Sequence, residues 1–194
     1  MNELQFKQLI AQVIKQQPVT AQKRPAPLRR LLLGYLRKMK RLYRNQLNAP
    51  DKSPVEMWLC DNFYVLEKEA KQTARELKTT SKLPLSGKLP QLSLVCDAIL
   101  AAHPVISQQL AEDIVNEVQQ YRDLTVTEFG YIPLALKITL LSMACSACIE
   151  NKSDQNISFA ITSLTKLAAL DFDALVCKYS IVESTLLCDP AVIY

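Results

Sequence analysis

The stretch YIPLALKITLLSMACSACI, at residues 131–149, decides the fold of this chain. It contains nineteen residues with a single charge, Lys137, and its length nearly spans a bilayer. A lysine toward the middle of a membrane span costs roughly 2.5–3.5 kcal/mol, and Pro133 makes insertion less favourable still. The pattern therefore predicts a central helix, from about 127 to 150, that is surrounded by other helices of the same chain.

Apolar residues recur at helical spacing along most of the remaining sequence, and no strand pattern lasts for five residues. Glycine is scarce, with 3 in 194 residues. This argues against an all-β fold, a dinucleotide-binding turn and a P-loop, because these structures use glycine at positive φ. The clearest helix start is Ser53-Pro54-Val55-Glu56, where Ser53 caps the helix, Pro54 opens it and Glu56 completes a capping box. We predict an all-α fold, an irregular bundle of about eight helices over 2–16, 28–45, 53–78, 90–102, 107–121, 127–150, 154–170 and 172–188.

Charge is distributed unevenly along the chain. Residues 1–52 contain 12 Lys/Arg and 2 acidic residues, a net charge of +10, whereas residues 53–194 contain 11 Lys/Arg and 17 acidic residues, a net charge of −6. Pro18, Pro25 and Pro27 interrupt the basic part. We therefore predict a basic helical arm with a linker over 1–52 and a helical bundle domain over 53–194.

The segment 28–45, LRRLLLGYLRKMKRLYRN, is the most basic part of the arm and predicts an amphipathic helix. Its basic side chains could contact an anionic membrane surface or an acidic protein, or remain solvated while the leucine face packs on the body. Nucleic acid is the least favoured partner, since only Tyr35 and Tyr43 are available for base stacking. The residues predicted to contact an anionic surface are Arg29, Arg30, Arg37, Lys38, Lys40, Arg41 and Arg44.

Few residues are suited to catalysis or to metal binding. Cys145 and Cys148 have CxxC spacing, but zinc needs four ligands, and the sequence offers no second such pair and no histidine nearby. Small buried residues at a helix crossing are the favoured interpretation. The single histidine, His103, precedes Pro104 at a predicted helix end, where the helix dipole favours a cation without any catalytic role. We predict no catalytic residue, no metal, no cofactor and a cytosolic chain with reduced thiols, because residues 1–20 lack the apolar core of a signal peptide.

The segment WLCDNFY, residues 58–64, is the strongest candidate for a ligand or partner site. Asn62 follows Trp58 by one turn, so we expect its amide to face inward and to require hydrogen-bond partners. The alternative is a polar network that only fixes helix packing. The candidate binding residues are Trp58, Asp61, Asn62, Tyr64 and Glu128.

Three segments in order resemble the N-terminal region of bacterial cyclic β-1,2-glucan synthases. Residues 58–78, WLCDNFYVLEKEAKQTARELK, resemble that family's W-L-L-D-N-aromatic helix, and LTVTE at 124–128 followed by IPLALK at 132–137 resembles its L-T-I-x-E-L-W-A-L-P helix. The segments around 161–164, 171–172, 180–183 and 189–191 resemble the family's later S-L, D-W, S-x-V-E and D-P-A motifs. Gly130 and Val192 depart from the pattern, which has Trp and Gly there.

The resemblance implies a non-catalytic front segment of a glucan-synthesising protein. In the full-length family, a membrane-embedded glycosyltransferase of family 84 and a domain of glycoside hydrolase family 94 follow this region and polymerise glucose from UDP-glucose. The chain stops before both, so we expect a truncated or split fragment whose partner is the remainder of such a synthase or another protein. Its expected location is the cytoplasm, with the inner face of the cell membrane as a docking surface. The alternative from another class is a free-standing helical interaction module, and a weaker one is a nucleic-acid binder acting through residues 23–44.

Overall fold

A computed structural model describes residues 2–151 and 154–179, which contain eight helices and a three-stranded antiparallel sheet. This confirms the predicted all-α class. Asp171 caps the last described helix, since its Oδ1 accepts from Ala174 N at 2.9 Å. The elements are α1 (Glu3–Gln16), β1 (Ala21–Lys23), α2 (Ala26–Gln46), α3 (Pro54–Thr79), β2 (Leu83–Ser86), β3 (Leu89–Pro90), α4 (Gln91–Ala102), α5 (Gln108–Gln119), α6 (Val126–Glu150), α7 (Asp154–Leu167) and α8 (Phe172–Tyr179).

The apolar helix α6 forms the centre of the bundle and packs against α2, α3, α4, α7 and α8. In the described part of the chain it is the one helix long and apolar enough to cross a membrane, and 67% of its most apolar window is buried inside the protein. Helices that are apolar on all sides are typically buried. The predicted central helix surrounded by its neighbours is therefore confirmed.

Helices α2 and α3 form an antiparallel pair on one side of α6. Ser53 caps α3 as predicted, because its side chain accepts from the Glu56 amide while the Glu56 carboxylate accepts from the Ser53 amide. The apolar face of α2 is buried against the body through Leu28, Leu32 and Met39. Residues 1–52, predicted as an arm, thus contribute to the same hydrophobic core as the rest of the chain.

The small sheet forms in the predicted linker and in the segment between the predicted helices at 53–78 and 90–102. Strand β2 pairs with β1 through Ala21↔Leu85 and with β3 through Leu85↔Pro90. Gly87, at φ +61, makes the tight turn between β2 and β3. Through the β1–β2 pairing, the sheet connects the residues just before α2 to the segment between α3 and α4.

Candidate functional site

The solvent side of α2 carries the most concentrated charge in the structure. Arg30, Arg37, Arg41 and Arg44 are exposed, and at 100° per residue they fall within an arc of about 60° and span about 21 Å along the helix. Exposed Lys38 borders this row, and so does Leu31, which is 42% exposed. We call Arg30, Arg37, Lys38, Arg41 and Arg44 the basic surface.

The remaining predicted anion-contacting residues, Arg29 and Lys40, are engaged with α3. Arg29 Nε donates to the carbonyl oxygen of Ala74 at 3.2 Å, and Lys40 Nζ lies 3.1 Å from Glu67 Oε1. Hydrogen bonds from Lys71 and Lys40 lower the pKa of Glu67. These two basic residues therefore help to hold α2 on α3.

The basic surface itself makes few contacts within the described part of the chain. Arg37 Nε donates to the carbonyl oxygen of Leu33, one turn earlier in the same helix, at 3.2 Å. No acidic side chain within ion-pair distance is found there for Arg30, Lys38, Arg41 or Arg44. Their charges are therefore free to meet an external anion.

Both tyrosines of α2 contact neighbouring helices of the bundle. The hydroxyl of Ser142 on α6 donates to Tyr35 Oη at 3.2 Å. Tyr43 stacks on Phe63 of α3 with ring centroids 4.4 Å apart and ring planes 9° apart. Neither ring is presented beside the basic surface as a platform for nucleic-acid bases.

The residues predicted around WLCDNFY do not form one site. Trp58 and Asn62 are partly buried, while Asp61 and Tyr64 are exposed, the latter by 69%. The Asn62 amide donates to the Trp58 carbonyl at 3.1 Å, a local bond within α3. The expected network of tertiary partners around Asn62 is therefore absent among the hydrogen bonds of the described residues.

Glu128 is far from these residues. Ser53 contacts Asn151 and Glu69 pairs with Lys137, so α3 and α6 are antiparallel, and Glu128 lies roughly 20 Å along the axis from the level of Asn62. The Glu128 side chain is 2% exposed, and its carboxylate accepts two hydrogen bonds from the Arg122 guanidinium, at 2.6 and 3.0 Å. It also accepts from the Thr125 amide to complete a capping box. Arg122 Nε in turn donates to Gln91 at 2.9 Å, so this network joins the ends of three elements.

A second buried ion pair crosses between α3 and α6. Lys137 Nζ lies 3.2 Å from Glu69 Oε2, with side chains only 12% and 10% exposed. That oxygen has no partner with hydrogen-bond geometry, and the nearby hydroxyl of Thr73, one turn further along α3, is buried without a partner. The sequence signal for this pair was the lone charge of the apolar segment 131–149.

The thiols of α6 belong to the packing rather than to a reactive site. Cys145 and Cys148 are 1% and 8% exposed, which agrees with their interpretation as small residues at a helix crossing. Burial raises the pKa of Cys148 to about 12 and also raises that of Cys145. His103 caps the end of α4, as expected from its position before Pro104.

Two clefts open at the surface of the described residues. One, of about 980 Å³, lies between the first turns of α1 and the length of α5, with His103 at its edge. The other, of about 440 Å³, lies between α4 and α6 and contains Asp97, whose pKa is raised by burial and partly lowered again by the hydrogen bond from Thr139. Sequence reasoning missed both clefts, because each is formed by residues far apart in the chain.

Comparison of the chain with protein-family models, with curated proteins and with solved structures gives no match. The resemblance to glucan synthases therefore rests on the quoted segments alone. Two of these, at 180–183 and 189–191, lie outside the described residues.

Proposed function

We propose that this chain is a non-catalytic helical module that binds an anionic membrane surface through the basic surface of α2. One observation carries the proposal. Four exposed arginines form a row on a helix that contains seven basic residues and no acidic residue.

Folding alone does not account for this row. Arg37 and Arg41 are four residues apart and Arg41 and Arg44 three apart, so each pair places like charges on adjacent turns, at a cost of about 0.2–0.5 kcal/mol. Arg29 and Arg30 lie near the positive end of the helix dipole, and α2 begins without a side-chain cap. Charges that are unfavourable for the helix itself are instead suited to an anionic ligand.

A lipid surface fits the shape of this region best. The row lies on the outward face of a helix and outside both clefts, so it can meet a planar surface along about 21 Å of helix. Leu31 is exposed on the same face of α2 as Lys38, and its side chain can enter the lipid headgroup region. Guanidinium groups bind phosphate in a bidentate manner, which suits lipid headgroups.

Binding to vesicles tests the proposal. A basic residue near an anionic leaflet contributes about 1 kcal/mol, so removing two charges should weaken binding roughly 30-fold. We expect the chain to co-sediment with phosphatidylcholine vesicles that contain about one third phosphatidylserine, and less at high salt. The double substitution Arg37→Gln with Arg41→Gln should abolish most of this binding.

The matched control removes the same two charges elsewhere. Lys15 and Lys166 are exposed on α1 and α7, and the double variant Lys15→Gln with Lys166→Gln should bind as the parent does. Equal loss in both double variants would show a general charge effect and contradict the proposal. If the chain binds duplex DNA but not vesicles, the ligand of the basic surface is nucleic acid and not a lipid surface.

We also propose, from the resemblance, that the module is the front segment of a cyclic β-1,2-glucan synthase-like protein. Its support is the order of the segments at 58–78, 124–137 and 161–172. A module that docks on a membrane would suit a protein with a membrane-embedded transferase. The reading frame downstream in the genome tests this, since it should encode a transferase; an unrelated gene there would favour a free-standing interaction module.

A further inference from the structure

We infer that Gly34 and the basic residues around it form a seat for a phosphomonoester, the headgroup of phosphatidic acid, on the outward side of α2. The inference rests on the proposed membrane binding and adds which headgroup is preferred. Its basis is a gap in the row of arginines and a guanidinium that is held at the edge of that gap.

Gly34 leaves a gap in the middle of the basic surface. It lies one turn after Arg30, about 6 Å along the helix axis and about 40° around it, and about 4.5 Å along the axis before Arg37. Outside the two adjacent residues, no side chain lies within 4 Å of the position that a Cβ atom would take at Gly34. The packing of the bundle therefore does not require glycine here, and glycine inside a helix is less favourable than alanine. The space above Gly34 is open to a ligand.

Arg37 holds its guanidinium at the edge of this gap. Its Nε donates at 3.2 Å to the carbonyl oxygen of Leu33, the residue immediately before Gly34. The terminal nitrogens of Arg37 have no hydrogen-bond or ion-pair partner among the described residues. The side chain is thus oriented while these donors remain unused, and donors of a guanidinium match the spacing of phosphate oxygens. A group that is already oriented loses less side-chain entropy on binding.

Further cations surround the gap. Lys38 follows Gly34 by four residues, and helical side chains lean toward the N-terminus, so Lys38 extends over the turn that contains Gly34. Arg30 borders the gap one turn before, and Arg41 lies two turns after. An anion above Gly34 would therefore be surrounded by positive charge on the side that faces the protein.

The geometry favours a phosphomonoester over a phosphodiester. A monoester carries a charge of about −1.5 to −2 near neutral pH and has three free oxygens. In phosphatidylserine the phosphate is a diester, and the serine group beyond it carries an ammonium that the surrounding basic residues repel. A gap that is one side chain deep and bordered by cations is therefore better suited to the bare phosphate of phosphatidic acid.

Binding of the full chain to two kinds of vesicle tests the inference. Phosphatidylcholine vesicles contain either phosphatidic acid or phosphatidylserine and are adjusted to the same surface potential. We expect the parent chain to bind the phosphatidic acid vesicles roughly tenfold more tightly. Gly34→Gln keeps the net charge but fills the gap, so this preference should disappear. The melting temperature of the variant should not fall, because glutamine is a better helix former than glycine, and this shows that the variant is folded.

Gly130→Gln is the matched control. Gly130 is an exposed glycine inside α6 with open space around it, and no basic residue lies within four positions of it in the sequence. This variant should keep the preference for phosphatidic acid. Loss of the preference in both glutamine variants would overturn the inference, as would an unchanged preference in Gly34→Gln.

The same titrations separate this inference from the proposed function. Equal binding of the parent chain to both kinds of vesicle would overturn the phosphomonoester seat and leave membrane binding by the basic surface in place. Binding to neither kind would overturn the proposed function itself. Binding of free glycerol 3-phosphate as tightly as of the phosphatidic acid vesicles would overturn the lipid assignment and indicate a soluble phosphate ester.

Discussion

Removing the Glu128 carboxylate should destabilise the protein more than any other single change of an acidic residue to alanine. The side chain is 2% exposed and pairs with Arg122, which is 22% exposed. Breaking a fully buried ion pair costs about 3–5 kcal/mol, and the partial exposure of Arg122 reduces this to about 2–3 kcal/mol. Loss of the capping box at Thr125 adds about 1 kcal/mol.

The expected total for Glu128→Ala is therefore about 3–4 kcal/mol. In a chain of this length each kcal/mol lowers the melting temperature by about 2–4 °C, so the decrease should be roughly 6–15 °C. Thermal denaturation followed by far-UV circular dichroism measures it. Glu128→Gln preserves the capping box and should lose only about 2 kcal/mol, because glutamine also serves at that position.

The matched control is Glu150→Ala at the exposed end of the same helix, for which we expect a change within about 0.5 kcal/mol. A double-mutant cycle with Arg122→Met should give a coupling of about 1 kcal/mol or more. A melting temperature of Glu128→Ala equal to that of Glu150→Ala would refute the buried network, whatever the result of the cycle.

Three further predictions concern the core and the thiols. Lys137→Met should destabilise the protein by about 3 kcal/mol, because it leaves Glu69 buried without a counter-ion. Adding Glu69→Leu to this variant should recover most of the lost stability. Equal stability of the single and double variants in urea denaturation would contradict this. Thr73→Val should be neutral or stabilising by up to about 1 kcal/mol, since it removes an unpartnered buried hydroxyl, and a clear loss of stability would reveal a missed partner. In a thiol-labelling assay at mildly alkaline pH, Cys177, which is exposed, should react at once, while the raised pKa of Cys148 keeps that thiol protonated and unreactive until the chain unfolds.

The helices were predictable because their signals are local. Ser53, Pro54 and Glu56 mark the start of α3 within four residues, and the structure places the helix start there. Thr125 and Glu128, three residues apart, form the same kind of capping box at the start of α6. Each of these signals depends on backbone amides of the same turn, so no tertiary information is needed.

The strands and the polar sites were not predictable, because they depend on contacts between distant parts of the chain. Strand β1 is three residues long and pairs with residues 60 to 64 positions later, and both β2 and β3 contain proline. Such short strands have no periodicity that a sequence pattern can detect. The α1–α5 cleft likewise depends on how two helices that are far apart in the chain pack together.

The two kinds of charge in this protein differ in what they do for the fold. The charges that face the core of the described bundle, Glu128 and Lys137, are paired with the opposite charges of Arg122 and Glu69, because an unpaired charge there would destabilise the protein strongly. The exposed arginines of α2 have no such partner, and surface charges of this kind contribute little to stability even when paired. Removing them should therefore leave the melting temperature nearly unchanged while it changes what the chain binds. That separation of stability from binding is what a surface used for an external ligand requires.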